Sequence, residues 1–153
     1  MRKPRVYLCG PIDGVTPEWA TEWRKATANA LNDKYHIIDP TEDKDLYQPG
    51  ANDTAYTPGQ IVTADLISIR DSDILLVDWC QVPPKSISGR CDNQPMRVGT
   101  IMEMVYARNW GKRVITFGNL RRGYWARYHS DEHFEAWIDA MAYLLGYGAV
   151  TQQ

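Results

Sequence analysis

Ile74-Leu75-Leu76-Val77 is an unbroken apolar run of strand length, without the alternation that one wet face would impose. Such a strand is buried on both sides, which places it in a parallel sheet covered by helices front and back. Three more short runs repeat the theme: Val6-Tyr7-Leu8-Cys9, closed by Gly10-Pro11; His36-Ile37-Ile38, closed by Asp39-Pro40; and Arg113-Val114-Ile115-Thr116-Phe117. Stretches of helical period lie between them. Thr16 and Pro17 make an N-cap and first-turn pair. Behind them Trp19, Trp23, Ala26, Ala30 and Leu31 recur at helical spacing as the expected buried face. Thr57-Pro58 repeats the opening for a helix running through Ile61, Leu66 and Ile69 to about Asp71. A third helix is expected from Val98 to Trp110, ended by Gly111. A final helix is expected from Ser130, with Asp131 and Glu132 in its first turn and Phe134, Trp137, Ile138, Met141, Leu144 and Leu145 buried.

Strand and helix alternate, so the expected architecture is α/β: one domain over residues 1–153, a doubly wound parallel sheet of the flavodoxin-like or Rossmann-like kind with helices on both faces. Residues 40–56 and 79–97 read as polar, Pro- and Gly-punctuated loops, long enough to suggest a functional use. Open parallel sheets bind ligands beyond the carboxyl ends of their strands. The loops after Cys9, Ile38, Val77 and Phe117 are therefore where chemistry is expected.

Composition narrows the classes. A net charge of −2 with mixed signs argues against a nucleic acid polymer as partner. Lys112-Arg113 and Arg121-Arg122 read as solvated turns. With 44% apolar and 24% charged residues the chain is expected to be a soluble globular protein. Neither a membrane span nor an apolar leader is expected, which makes the cytoplasm the expected compartment and leaves the membrane out as partner. The three cysteines, Cys9, Cys80 and Cys91, match no zinc spacing, so no metal is expected. Cys9 reads as a small buried apolar residue, and a Cys80–Cys91 disulfide is not expected.

Three places hold candidate chemistry. Tyr7-Leu8-Cys9-Gly10-Pro11-Ile12-Asp13-Gly14 takes a strand into two glycines, which fits either an anion- or hydroxyl-binding turn or a plain tight turn. Asp65 is flanked by Ala64 and Leu66-Ile67, and reads either as a solvated helix residue or as a carboxylate near the buried face. Val98-Gly99-Thr100-Ile101-Met102-Glu103 opens a helix straight after a long loop. Glu103 is then either an acid that serves the helix dipole or an oriented, ionised carboxylate in a dry crevice, as a glycosyl nucleophile requires. Asp78 and Trp79, at the same rim, add a carboxylate and a flat ring that can stack on a base or cap the core.

In order, Tyr7-Leu8-Cys9-Gly10-Pro11-Ile12, Ala64-Asp65-Leu66, Ser72-Asp73-Ile74-Leu75-Leu76-Val77, Gly99-Thr100-Ile101-Met102-Glu103 and Gly111-Lys112-Arg113-Val114-Ile115 make a set. Across residues 5 to 117 it resembles the nucleoside 2-deoxyribosyltransferase family and the related 2′-deoxynucleoside 5′-phosphate N-hydrolases. The resemblance implies a retaining double displacement without cofactor. Glu103 attacks C1′, Asp65 handles the leaving base and Tyr7 orients the nucleophile. Transfer to a free nucleobase is the leading implication, hydrolysis of a deoxynucleoside or its 5′-monophosphate the alternative, and a non-catalytic nucleotide-sensing module the alternative of another class. Gly10, Asp13, Asp78, Trp79, Arg97 and Gly99 are the implied substrate-binding positions.

The chain departs from the pattern at two of them. The transferases carry a sugar-binding Asp six residues before the nucleophile, where this chain has Arg97, leaving Asp92 as a stand-in. The phosphohydrolases carry an Arg where Asp13 stands, so Asp13 disfavours a phosphate and Arg97 favours one. The family also implies a homo-oligomer whose neighbouring subunit completes the site, with residues 123–129 as the candidate segment.

Overall fold

A computed structural model describes residues 1–12, 15–42, 58–80, 97–120 and 123–151. The two expected loops fall largely outside the described residues, as do Asp13, Cys91, Asp92, Arg121 and Arg122. The elements are β1 (Arg5–Cys9), α1 (Pro17–Leu31), β2 (His36–Ile38), α2 (Pro58–Arg70), β3 (Ile74–Trp79), α3 (Val98–Asn109), β4 (Arg113–Gly118), α4 (Tyr124–Tyr128), β5 (Glu132–Phe134) and α5 (Trp137–Thr151). The strands form one all-parallel sheet in the order β2-β1-β3-β4-β5, the flavodoxin-like order. The strand order reverses at β1, because the chain goes from β1 out to β2 and returns to pair β3 on the other side. A ligand crevice is expected at such a switch point.

Period-two alternation splits the core in two. Val6 and Leu8 of β1, Ile74 and Leu76 of β3, and Ile115 and Phe117 of β4 pack with Leu31 of α1 and Ala140, Met141 and Leu144 of α5. The alternate residues, Tyr7, Cys9, Leu75, Val77 and Val114, pack with Ile69 of α2, Met104 and Ala107 of α3 and Ala126 of α4. Helices thus cover both faces, as the apolar run at 74–77 requires. Local signals set several boundaries. The Thr16 hydroxyl accepts the Trp19 N–H at 3.1 Å to start α1, and Gly111 follows α3 at φ +72°, the left-handed conformation that costs glycine nothing. Gly118 is needed for a different reason. At φ +117° a Cβ there would lie 2.4 Å from the Trp79 backbone.

Two expectations fail. The buried stripe of α1 is Ala20, Arg24, Thr27 and Leu31, while Ala26 is exposed and Trp19 and Trp23 are only partly buried. The wide Trp rings suggested a face turned away from the one that packs. Second, residues 130–134 do not begin a helix. Glu132–Phe134 is the edge strand β5, preceded by the short α4, and the last helix starts at Trp137. Asp131 docks the strand instead of capping a helix: its carboxylate accepts the Val114 N–H at 2.7 Å and its own N–H reaches the Val114 carbonyl at 2.8 Å. Ile138 and Leu145, expected inside α5, are exposed. Among the described residues no helix is long and apolar enough to cross a membrane.

Candidate active site

A cavity of about 490 Å³ opens at the switch point, between the carboxyl end of β1 and helices α2 and α3. Tyr7 points to this side because the pleat sends it opposite Val6 and Leu8. Helix α3 brings Glu103 and, in its first turn, Gly99 to the wall, α2 brings Asp65, and the segment after β1 brings Gly10. Five of the nine expected site residues thus share one cavity: Tyr7, Gly10, Asp65, Gly99 and Glu103.

Glu103 is held at both oxygens. Tyr7 Oη donates to Oε1 at 3.3 Å and Cys9 Sγ to Oε2 at 2.9 Å. Burial lifts its carboxyl from the ordinary 4.5 to about 7. The Cys9 contact pulls it down, the Asp65 charge pushes it up, and the Tyr7 hydroxyl and the Arg24 charge pull it down. Glu103 lies in the second turn of α3, past the free N–H groups of the first. The helix dipole expected to keep it ionised is therefore not in control; desolvation is. A carboxyl in this range is poised to act in either protonation state near neutrality.

Arg24 was missing from the sequence reading. It has no exposed surface, lines the cavity wall, and donates from Nη2 to the Gly10 carbonyl at 3.1 Å and from Nη1 to the Ala20 carbonyl. Its Nε is 3.8 Å from Asp39 Oδ1, an ion-pair distance rather than a hydrogen bond. The signal was available: Arg24 shares one helical stripe with Ala20, Thr27 and Leu31. It anchors the Gly10 turn, where a Cβ would come within 3.1 Å of the Trp23 ring and 3.2 Å of Asp78 Cβ.

Asp78, Trp79 and Arg97 sit together beside the cavity and do not line it. Asp78 is buried, and its Oδ1 accepts the Cys80 N–H at 2.9 Å. Arg97 donates from Nη1 to the Asp78 carbonyl at 2.8 Å and from Nη2 to the Cys80 carbonyl, with its guanidinium 4.7 Å from the centre of the Trp79 ring. This arginine ties the start of α3 to the end of β3. Trp79 packs on Gly123, where a Cβ would meet the ring at 3.2 Å. The segment 123–129 carries Tyr124, Trp125 and Tyr128 largely exposed. Among the described residues no cluster of three metal-ligating side chains occurs.

No family model matches the sequence, and no curated protein matches it. Solved structures do share its fold. A 2-deoxyribosyltransferase of Bacillus psychrosaccharolyticus superposes with a TM-score of 0.59 at 20% identity over 90% of both chains. The CMP N-glycosidase BcmB of Clostridium botulinum gives 0.50 at 18% identity, over 92% of this chain and 97% of that one. A molybdenum cofactor binding protein of Rippkaea orientalis gives 0.58 at 15% identity, over 96% and 98%. At such identities the likeness is one of fold, and function has to be argued from the cavity.

Proposed function

We propose that this chain cleaves the N-glycosidic bond of 2′-deoxynucleosides through a covalent deoxyribosyl–Glu103 intermediate and passes the sugar to a second nucleobase. The observation that carries the reading is the Glu103 carboxylate, mostly buried in a cavity wall and oriented by donors at both oxygens, with the Asp65 carboxylate on the same cavity. Two carboxylates with separate duties are the minimum for glycosidic displacement. In the first step an Oε lone pair of ionised Glu103 forms the bond to C1′. The C1′–N bond breaks, its electron pair leaves with the base, and Asp65 supplies a proton to the base. In the second step the acceptor base attacks C1′, the ester pair returns to Glu103 and the acceptor's proton goes to Asp65. A 2′-deoxy sugar tolerates positive charge at C1′, so no cofactor is required. Membership of the nucleoside 2-deoxyribosyltransferase family, on the ordered motifs and the shared fold, belongs to the same proposal.

The second reading, hydrolysis of a deoxynucleoside or its 5′-monophosphate with water as acceptor, draws on the likeness to a CMP N-glycosidase. Arg97, read as favouring a phosphate, donates to the Asp78 and Cys80 carbonyls and does not line the cavity. We further propose a homo-oligomer. Tyr124, Trp125 and Tyr128, 77%, 67% and 70% exposed, make an aromatic face that a second copy would cover.

Chromatography of 2′-deoxyinosine, thymidine or dCMP incubated with the protein, with and without free adenine, tests the reaction. Deoxyadenosine formed only with adenine is the expected product. Free base released at one rate in both conditions would give the hydrolase reading. The Glu103→Ala variant should lose roughly three to six orders of magnitude in turnover while still binding nucleoside. Normal turnover by that variant would sink both readings.

A further inference from the structure

Cys9 makes and breaks no bond in the steps above, although it is one of the two donors that hold Glu103. Cys9 follows Tyr7 by two residues along β1, so both side chains leave the same face of the sheet. Cys9 has no exposed surface and does not line the cavity, yet its sulfur is 2.9 Å from Glu103 Oε2. The other acceptor near it, the Thr100 carbonyl, is at 3.8 Å. The carboxylate is nearer and, when ionised, is the stronger acceptor, so it accepts the hydrogen bond from the thiol. Burial, and then the neighbouring Glu103 charge, push the thiol well above its ordinary range, which keeps it an S–H donor rather than a thiolate. The two oxygens of Glu103 therefore have separate donors. Tyr7, which lines the cavity, serves Oε1, and a thiol behind the wall serves Oε2.

We propose that Cys9 is a positioning residue for Glu103: its S–H holds Oε2 from behind and thereby turns Oε1 toward the sugar carbon. The proposal deepens the glycosidic reading and rests on it. When Oε1 forms the bond to C1′ and the base leaves with the C1′–N pair, Oε2 becomes the ester carbonyl oxygen and keeps its donor. When the acceptor's lone pair takes C1′ and the Oε1–C1′ pair returns to the carboxylate, the regained charge is shared with Oε2. The thiol then stabilises that leaving carboxylate. A buried apolar filler, the role the sequence suggested for Cys9, would do none of this.

Among the described residues, the titratable and charged groups around Glu103 are Tyr7 and Cys9 from β1, Arg24 from α1, Asp65 from α2 and, on its own helix, Tyr106. Only Cys9 is removed in the test. With carbon-13 in the glutamate carboxyls, and the Glu103 signal identified by its loss in Glu103→Gln, the titration is followed by NMR in the native protein and in Cys9→Ala. The midpoint should rise by about one pH unit in the variant. The acid limb of kcat/KM should move by the same amount, with kcat about tenfold lower and KM little changed. Equal midpoints in a folded variant would overturn the proposal.

The native protein supplies a second measurement that does not depend on the variant folding. One S–H stretching band in the infrared should move to lower frequency as Glu103 ionises, and S–H bands that stay fixed across that titration would overturn the proposal. Neither spectroscopic measurement needs turnover. Failure of every deoxynucleoside to react would count against the function, while the thiol contact would be decided by its own titration.

Discussion

The two faces of the sheet come from the same strands, and the strand side chains that meet Glu103 all come from one of them, β1. Toward α1 and α5, Val6, Leu8, Ile74, Leu76, Ile115 and Phe117 present only hydrocarbon. Toward α2 and α3, β3 and β4 present Leu75, Val77, Val114 and Thr116, whose hydroxyl meets Ser130 and His133, while β1 presents Tyr7 and Cys9. Their polar tips meet the Glu103 carboxylate. Tyr7 and Cys9, on the strand where the order reverses, are what the sheet offers to Glu103 of α3. The contrast teaches that the packing environment comes first. The same apolar surroundings that hold the sheet together are what lift the Glu103 carboxyl to about 7.

Damage to the first face should be the largest in stability and the least specific. Leu76→Ala removes a fully buried side chain that does not line the cavity and should cost about 2–5 kcal/mol in urea unfolding, with turnover per folded molecule preserved. Loss of turnover without loss of stability would show that the faces are not separable.

A pH titration of stability sharpens the contrast next. The Glu103 carboxyl titrates near 4.5 when unfolded and about 7 when folded. Between those values the folded state holds a proton that the unfolded state has lost. This contribution is therefore complete below the unfolded value and falls away as pH rises through the folded one, by about 3 kcal/mol. Glu103→Gln should flatten that decline. Turnover should run the opposite way and rise over the same range, because only the ionised carboxylate attacks.

Tyr7→Phe has the smallest expected effect. The ring stays buried, so stability should change by no more than about 1 kcal/mol. Losing the donor to Oε1 should lower kcat about tenfold and raise the midpoint of the acid limb. An unchanged limb would mean that the 3.3 Å contact carries no weight.

Much of the frame was legible because its causes are local. Thr16-Pro17 opens α1 through a cap that involves only its own neighbours, and the apolar run at 74–77 became the central β3. What escaped was set by distant partners. β5 is three residues long, too short and too polar for a period, and it exists because Asp131 and its neighbours bond to β4. Arg24 shares the buried stripe of α1, but its partners, the Gly10 carbonyl and Asp39, are brought against it only by the fold. Arg97, read as favouring a phosphate, donates to two backbone carbonyls at the end of β3, a pairing that lies 17 and 19 residues away in sequence.

The same division holds inside the site. Residue types, their order along the chain and the face on which each leaves its element follow from periodicity and turn chemistry, but these left Asp65 and Glu103 with two readings each, and the roles of Tyr7, Asp65 and Glu103 came only from the resemblance of the ordered motifs to the nucleoside 2-deoxyribosyltransferases. The protonation state of Glu103 came from neither. It depends on water being excluded and on donors that lie 96 and 94 residues away in sequence, at Tyr7 and Cys9. Local pattern carries no information about solvent. Only the closed sheet, with α2 and α3 laid over β1, decides how dry a carboxylate becomes and which hydrogens point at it.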